Sequence, residues 1–183
     1  MPASPYNSIK AFKAGFNGGT RSNRFEVVST SGWPSKVGTV DIAKSKLKIH
    51  ATTMPKSDLG QIGIGYRGRI FSMAGDRSYS VWPIQMYDDS GNNNLWVAFN
   101  KWKDLMDGHV THTVDGDNFS YSRLQKTWVL NQLGLNGDVI RTFKLVNCWP
   151  SQIGGILLDM NSVDVVTFPV TLTFDYFEIT KGI

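Results

Sequence analysis

Apolar and polar residues alternate most regularly near the C-terminus, in the stretch VTFPVTLTFDY. Val166, Phe168, Val170, Leu172, Phe174 and Tyr176 fall on one face; Thr167, Pro169, Thr171, Thr173 and Asp175 fall on the other. A period of two with a single apolar face predicts a strand half in a core and half in water, within a C-terminal element spanning 163–179. Pro169 has no N–H for a ladder, so it belongs at a bulge or a locally unpaired position. Asn136-Gly137 favours a type I′ turn, and the runs TWVLNQLGL and DVIRTFKLV on either side predict a hairpin from about Thr127 to Val146. Further strands are predicted over Arg24–Thr30, Lys44–Thr53 and Arg77–Tyr87, with Pro83 interrupting the last.

One segment has the helical period instead. Leu95, Trp96, Ala98, Phe99, Trp102, Leu105 and Met106 recur at three- and four-residue spacing, and Asn93 and Asn94 offer caps. The spacing predicts a helix from about Asn94 to Asp107, with Trp96, Phe99 and Trp102 as its core on a sheet. No repeat and no Gly/Ser/Pro linker divides the chain. The expected fold is a single domain over 1–183, mainly β, a barrel or sandwich with one helix packed on the sheet.

Composition changes this picture little, and charge changes it more. At 183 residues, with 41% hydrophobic and 19% charged positions, the chain is long enough for one core. No apolar run approaches the ~18 residues of a membrane span, and MPASPYNSIKAFKAG lacks a signal-type apolar stretch, so a soluble protein made in a cytoplasm is expected. The net charge of +4 is unevenly spread. Residues 1–77 hold 12 Lys/Arg against 4 Asp/Glu, whereas residues 78–183 hold 7 against 11. Such asymmetry suits either a nucleic-acid face or complementary surfaces through which identical copies meet.

Candidate chemistry is sparse. Gly63-Ile64-Gly65-Tyr66-Arg67-Gly68 matches GxGxxG, but the residues after it are extended and turn-rich rather than helical, so an extended segment close to another backbone is the better reading. His109 and His112, with Asp107, Asp115 and Asp117 nearby, read as a solvated loop rather than a metal site. The stretch from Asp88 to Asn94 lacks the calcium-loop order and reads as a turn delivering a helix cap. Cys148 is the single cysteine, which excludes an internal disulfide, and reads as a small buried residue. Glu26 and Glu178 are the only glutamates and form no apparent acid–base pair. No catalytic, cofactor or metal residue is assigned. Lys44, Lys46 and Lys48 alternate along a predicted strand and suggest either phosphate tracking or a solvated face.

Four ordered stretches carry a family resemblance. KAFKAGFNGGTRSNRFEV resembles the opening short helix, turn and first strand of the tail-tube proteins of contractile-tailed bacteriophages. LKIHATTMPKSDLGQIGIGYRGRIFSMAGDRSYSVWPIQMYDD resembles their second strand, proline-led extended loop, AGDR turn and next strand. The aromatic helix follows in place. CWPSQIGGILLDMNSVDVVTFPVTLTFDYFE is the most specific match.

The resemblance implies a structural virion protein without catalysis or cofactor. Its hexameric rings would join inner strands into one continuous barrel and stack head-to-tail into a hollow tube. The implied partners are other copies, the sheath, baseplate and tail-terminator proteins, and genomic DNA in transit, with no stable membrane insertion. Within it, the extended segment 54–76 is expected to reach neighbouring subunits through Lys56, Asp58, Arg67, Arg69 and Asp76 with the adjoining Arg77, and Thr167, Thr171 and Thr173 to face the lumen. A baseplate tube-initiator or an injection-system tube protein of the same fold is the related alternative. A monomeric β-barrel using the lysine stripe on nucleic acid is the distant one. SGWPSKVGTVDIAKSK is longer than the family's usual connection, and Trp33-Pro34 is expected to cap an excursion on the outer surface.

Overall fold

A computed structural model describes residues 9–16, 18–38, 40–89, 91, 94–110, 112, 114 and 121–181. In chain order these form α1 (Ile9–Gly15), β1 (Phe25–Ser29), a 3-10 turn (Ser35–Val37), α2 (Ile42–Leu47), β2 (Ile49–Thr52), β3 (Ser57–Tyr66) and β4 (Arg69–Tyr79). β5 (Trp82–Tyr87), α3 (Leu95–Met106), α4 (Tyr121–Leu124), β6 (Lys126–Leu133), β7 (Val139–Ile153), β8 (Thr167–Thr173) and β9 (Tyr176–Lys181) follow. The mainly β architecture is the expected one.

β7 joins two halves of one antiparallel sheet, ordered β1-β6-β7-β8-β5-β2. Its first part pairs with β6 and β9, and its last residues pair with β8. The direction changes at Asn147, whose φ of 59° is left-handed and whose amide donates to the Asp175 carboxylate at 2.6 Å. β8 and β9 therefore run along the same edge of β7, parted at Phe174-Asp175. The halves face each other across one core: Val27, Trp128, Leu130, Phe143 and Leu145 from one, Trp82, Ile84, Met86, Phe168, Val170 and Leu172 from the other.

The C-terminal alternation lies as its pattern predicts, with Phe168, Val170 and Leu172 fully buried, although the element is two strands rather than one. Two of the three strand prolines, Pro169 and Pro83, sit where a missing donor costs little. The Pro169 carbonyl accepts from Gly154 N–H just beyond the end of β7, so its nitrogen faces a site where that ladder has finished. The Pro83 carbonyl accepts from Thr52 Oγ1 at the last residue of β2.

α3 is close to the predicted helix. Asn94 caps it, accepting from Val97 N–H at 3.0 Å. Phe99 and Trp102 are fully buried, while Trp96 is half-buried against the same core. Asn93, the other proposed cap, lies outside the described residues. Trp33 departs from expectation: instead of marking an outer surface, its ring lies 4.7, 5.5 and 6.1 Å from those of Phe99, Trp102 and Trp128. The excursion after β1 is thus a lid on the aromatic core, held by burial of an indole.

Three local expectations are corrected. Lys44–Thr53 is not one strand, because Asp41 accepts from Lys44 N–H at 3.1 Å and opens α2, and only Ile49–Thr52 pairs. Ala, Lys and Leu favour that helix, whereas the β-branched residues follow it. Lys44 and Lys46 are therefore helical, Lys46 pairs with Glu26 at 2.7 Å and Lys48 with Asp89 at 2.6 Å, and the phosphate-tracking stripe does not exist. The predicted strand Arg77–Tyr87 is split between β4 and β5 at Ser80-Val81. The Asn136-Gly137 turn is not type I′, since Gly137 alone is left-handed there and Gly134 N–H donates to the Asp138 carbonyl at 2.7 Å. That is a three-residue loop with a left-handed glycine last.

Candidate assembly surfaces

The segment expected as an extended loop is a β-hairpin, β3–β4, in a sheet of its own. Arg67 and Gly68 form its turn with φ of 48° and 80°, both left-handed as a two-residue type I′ connection requires. AGDR is not a turn but a bulge in β4, with Gly75 and Asp76 opposing Gly60. The backbones come close there. A Cβ on Gly60 would lie 3.1 Å from the Asp76 carbonyl oxygen, and one on Gly75 would lie 3.2 Å from the Gly60 carbonyl carbon.

The hairpin is two-faced. Cross-strand pairing sets Ile62 beside Met73, Ile64 beside Phe71 and Tyr66 beside Arg69, so five large apolar side chains share one face. Gln61, Gly63, Gly65, Ser72 and Ala74 share the other with Ile70. Among the described residues nothing covers the apolar face: Tyr66 is 67% exposed and Phe71 64%. The base is anchored by Tyr79, packing edge-on against Phe174 and Phe177 at 6.0 and 5.7 Å. Exposed apolar surface of this extent is a candidate contact surface.

All six charged residues singled out from the sequence are exposed. The structure divides them. Lys56, Asp58, Asp76 and Arg77 lie near the base, and Arg67 and Arg69 lie at the tip, about 25 Å away along the strands. Arg67 also stands over the Tyr66 ring, 5.3 Å from its centroid.

Two further apolar surfaces were not picked out from the sequence. Ile9, Phe12 and Phe16 are exposed along α1, with Phe12 and Phe16 stacked at 5.2 Å. Leu157, Leu158, Met160, Val163 and Val165 are exposed on the loop between β7 and β8. The helical spacing of the first set was legible; the second has no period and therefore no local signal.

The outer face of β7–β8–β5–β2 has another character. Thr167 is exposed, and Thr171 and Thr173 are half-buried. Their cross-strand neighbours include Tyr87, Pro83, Gln152 and Trp149. None of these side chains is charged. The outer face of the other half carries Glu26, Lys144 and Glu178, with Lys144 and Glu178 paired at 3.6 Å.

The remaining chemical candidates stay apart. His109 Nε2 lies 2.8 Å from the Asp104 carboxylate and His112 Nδ1 lies 3.8 Å from that of Asp107, both on the surface. Asp115 and Asp117 lie outside the described residues, and no metal-ligating group of three occurs among the described ones. Gly63-Gly68 spans a strand and its turn, not the start of a helix. Asp89, held below its usual value by the Lys48 ammonium and Gly91 N–H, belongs to the turn before α3. A lowered value means that its contribution is present above the ordinary carboxylate range and is lost as pH falls. Burial pushes the Cys148 thiol up to about 12. Its cost is therefore felt only as pH rises from about 9 towards that value, and the thiol stays protonated and enclosed at neutral pH.

Comparison with known proteins gives a consistent result. No family model matches. The tail tube protein of Serratia phage KSP90 is 27% identical over 173 residues, 94% of each chain. Tail tube protein gp19 of Enterobacteria phage T4 is 25% identical over 130 residues, 70% of this chain and 77% of that one. Among solved structures, a chain of the sheath–tube complex of the PVC extracellular contractile injection system superposes with a TM-score of 0.60 at 15% identity, covering 95% of this chain and 99% of that one. A chain of the anti-feeding prophage tube-terminating cap gives 0.63 at 16% identity, covering 90% and 92%. These likenesses establish a shared fold.

Proposed function

We propose that this chain, a structural tube protein homologous to the tail-tube proteins of contractile-tailed bacteriophages, forms hexameric rings that stack head-to-tail into the inner tube of a contractile tail. It is a virion component whose role is structural. Its partners are other copies of itself, the sheath around the tube, and the baseplate and terminator at its ends, with genomic DNA passing through the bore. The single observation that carries this reading is the β3–β4 arm, whose apolar face is uncovered in the lone subunit and needs a neighbour.

The free edges of the sheet support ring closure. β1 and β2 end the strand order, and an unpaired edge invites a strand from another copy. Closing six sheets into one barrel removes those edges. Lys56, Asp58, Asp76 and Arg77 at the base of the arm and Arg67 and Arg69 at its tip then lie between subunits, where the excess positive charge is kept from the bore. The uncharged threonine face suits the lumen, because a wall that gripped phosphates would retard DNA.

Electron microscopy of negatively stained protein over a concentration series tests the assembly. Hollow tubes with six-fold end views are expected. Protein that stays monomeric even beside its matching baseplate would remove the reading. The lumen assignment has its own check: Thr171→Cys in assembled tubes reacts with a small thiol reagent, and wild type serves as the blank because Cys148 is buried. A Thr171→Cys thiol as silent as Cys148 would place that face elsewhere.

A further inference from the structure

We infer that the tip of the β3–β4 arm of one copy seats on the β7–β8 loop of the next copy along the stack. This rests on the reading above, that the chain stacks with itself, and names the two surfaces that meet.

The loop over 154–166 is an unusual surface for a subunit to leave bare. Leu157, Leu158, Met160 and Val163 are 87%, 79%, 105% and 100% exposed. They are nevertheless presented by an ordered turn. Asn161 N–H donates to Asp159 Oδ1 at 2.9 Å, Ser162 N–H to the Asp159 carbonyl at 3.2 Å, and Asp164 N–H to Ser162 Oγ at 3.2 Å. Asp159 and Asp164 are the only charged residues in the loop. It is apolar and negative.

The arm is apolar and positive. Arg67 and Arg69 are the only charged residues between Leu59 and Gly75, and the exposed Ile64, Tyr66 and Phe71 accompany them. Two uncovered surfaces of one chain thus match in chemistry and oppose in charge, the combination that fixes a register between partners. α1 carries an apolar stripe with Lys10 and Lys13, so it matches the arm in sign and cannot complement it.

Their positions make the contact intermolecular. β5 runs from Trp82, beside the departure of the arm, to Tyr87, which pairs with Thr167 at the start of β8. Asp88 N–H donates to the Val166 carbonyl at 2.9 Å, tying the loop to that second end. Arm and loop therefore leave the sheet at opposite ends, about 20 Å apart over six residues of strand. A copy added head-to-tail brings its loop to the arm of its neighbour. A contact between two different patches of one chain does not close on itself, so it repeats along an axis.

Two sets of variants test this, read by pelleting and by non-reducing gels. Arg67→Glu with Arg69→Glu, and separately Asp159→Lys with Asp164→Lys, should each lower the polymerised fraction about tenfold, and the four changes together should restore most of it. Ile64→Cys with Leu158→Cys should give a ladder of covalent multimers once tubes form. If reversing the loop charges leaves polymerisation unchanged, the inference is overturned. The same holds if the cysteine pair gives no ladder in assembled tubes, or if Leu158→Cys instead joins Phe12→Cys on α1. Wild-type protein that never forms hollow polymers would remove the tube reading itself, a result distinct from tubes that form without this contact.

Discussion

Replacing residues 61–74 with an Asn-Gly turn is expected to leave the subunit folded and to abolish tubes. The excised strands pack on each other and contribute no residue to the core, so the change in unfolding free energy should stay within about 1 kcal/mol. Asn-Gly supplies two residues that accept positive φ, which the shortened hairpin needs. Assembly, by contrast, loses the whole apolar face of Ile62, Ile64, Tyr66, Phe71 and Met73. Urea melting of the monomer and sedimentation of the assembled protein separate the two effects. Tubes of normal length from the shortened chain would show that the arm is dispensable, and a collapsed urea midpoint would show that it supports the fold.

Trp102→Ala is expected to have the opposite profile, destroying the subunit rather than the contact. The ring is fully buried, its Nε1–H donates to the Leu124 carbonyl at 2.8 Å, and Trp33 and Phe99 lean on it at 5.5 and 6.1 Å. Removing a buried indole costs about 3–5 kcal/mol, a large part of the total stability of an ordinary domain. Trp96→Ala on the same helix removes a half-buried ring and should cost no more than about 1.5 kcal/mol. Equal shifts in urea midpoint for the two variants would mean that the buried stripe of α3 has been misidentified.

How much of this was legible follows from how local each signal is. α3 could be read because its cap and apolar stripe fall within a dozen residues, and β8 because Phe168, Val170 and Leu172 alternate without interruption. α2 was misread because Lys44, Lys46 and Lys48 also fit a period of two, although Asp41 three residues before Lys44 was an available cap signal. The arm was legible as extended chain but not as a hairpin. Its type I′ turn is Arg67-Gly68, a pair that lacks the Asn or Asp usually found at the first left-handed position. The more conventional Asn136-Gly137 adopts a different loop. Trp33 gave no sign of its place, because burial against Phe99, Trp102 and Trp128 depends on residues at least 66 positions away.

The distribution of indoles separates two processes optically. Of the six tryptophans, Trp33, Trp82, Trp102 and Trp128 form one ring network in the core, and none of the six lies on the arm or on the β7–β8 loop. Intrinsic emission from this protein is therefore dominated by the core and is little affected by docking at the arm or loop, while scattered light reports polymer length. A single cuvette read at two wavelengths can distinguish a variant that fails to fold from one that folds and fails to polymerise.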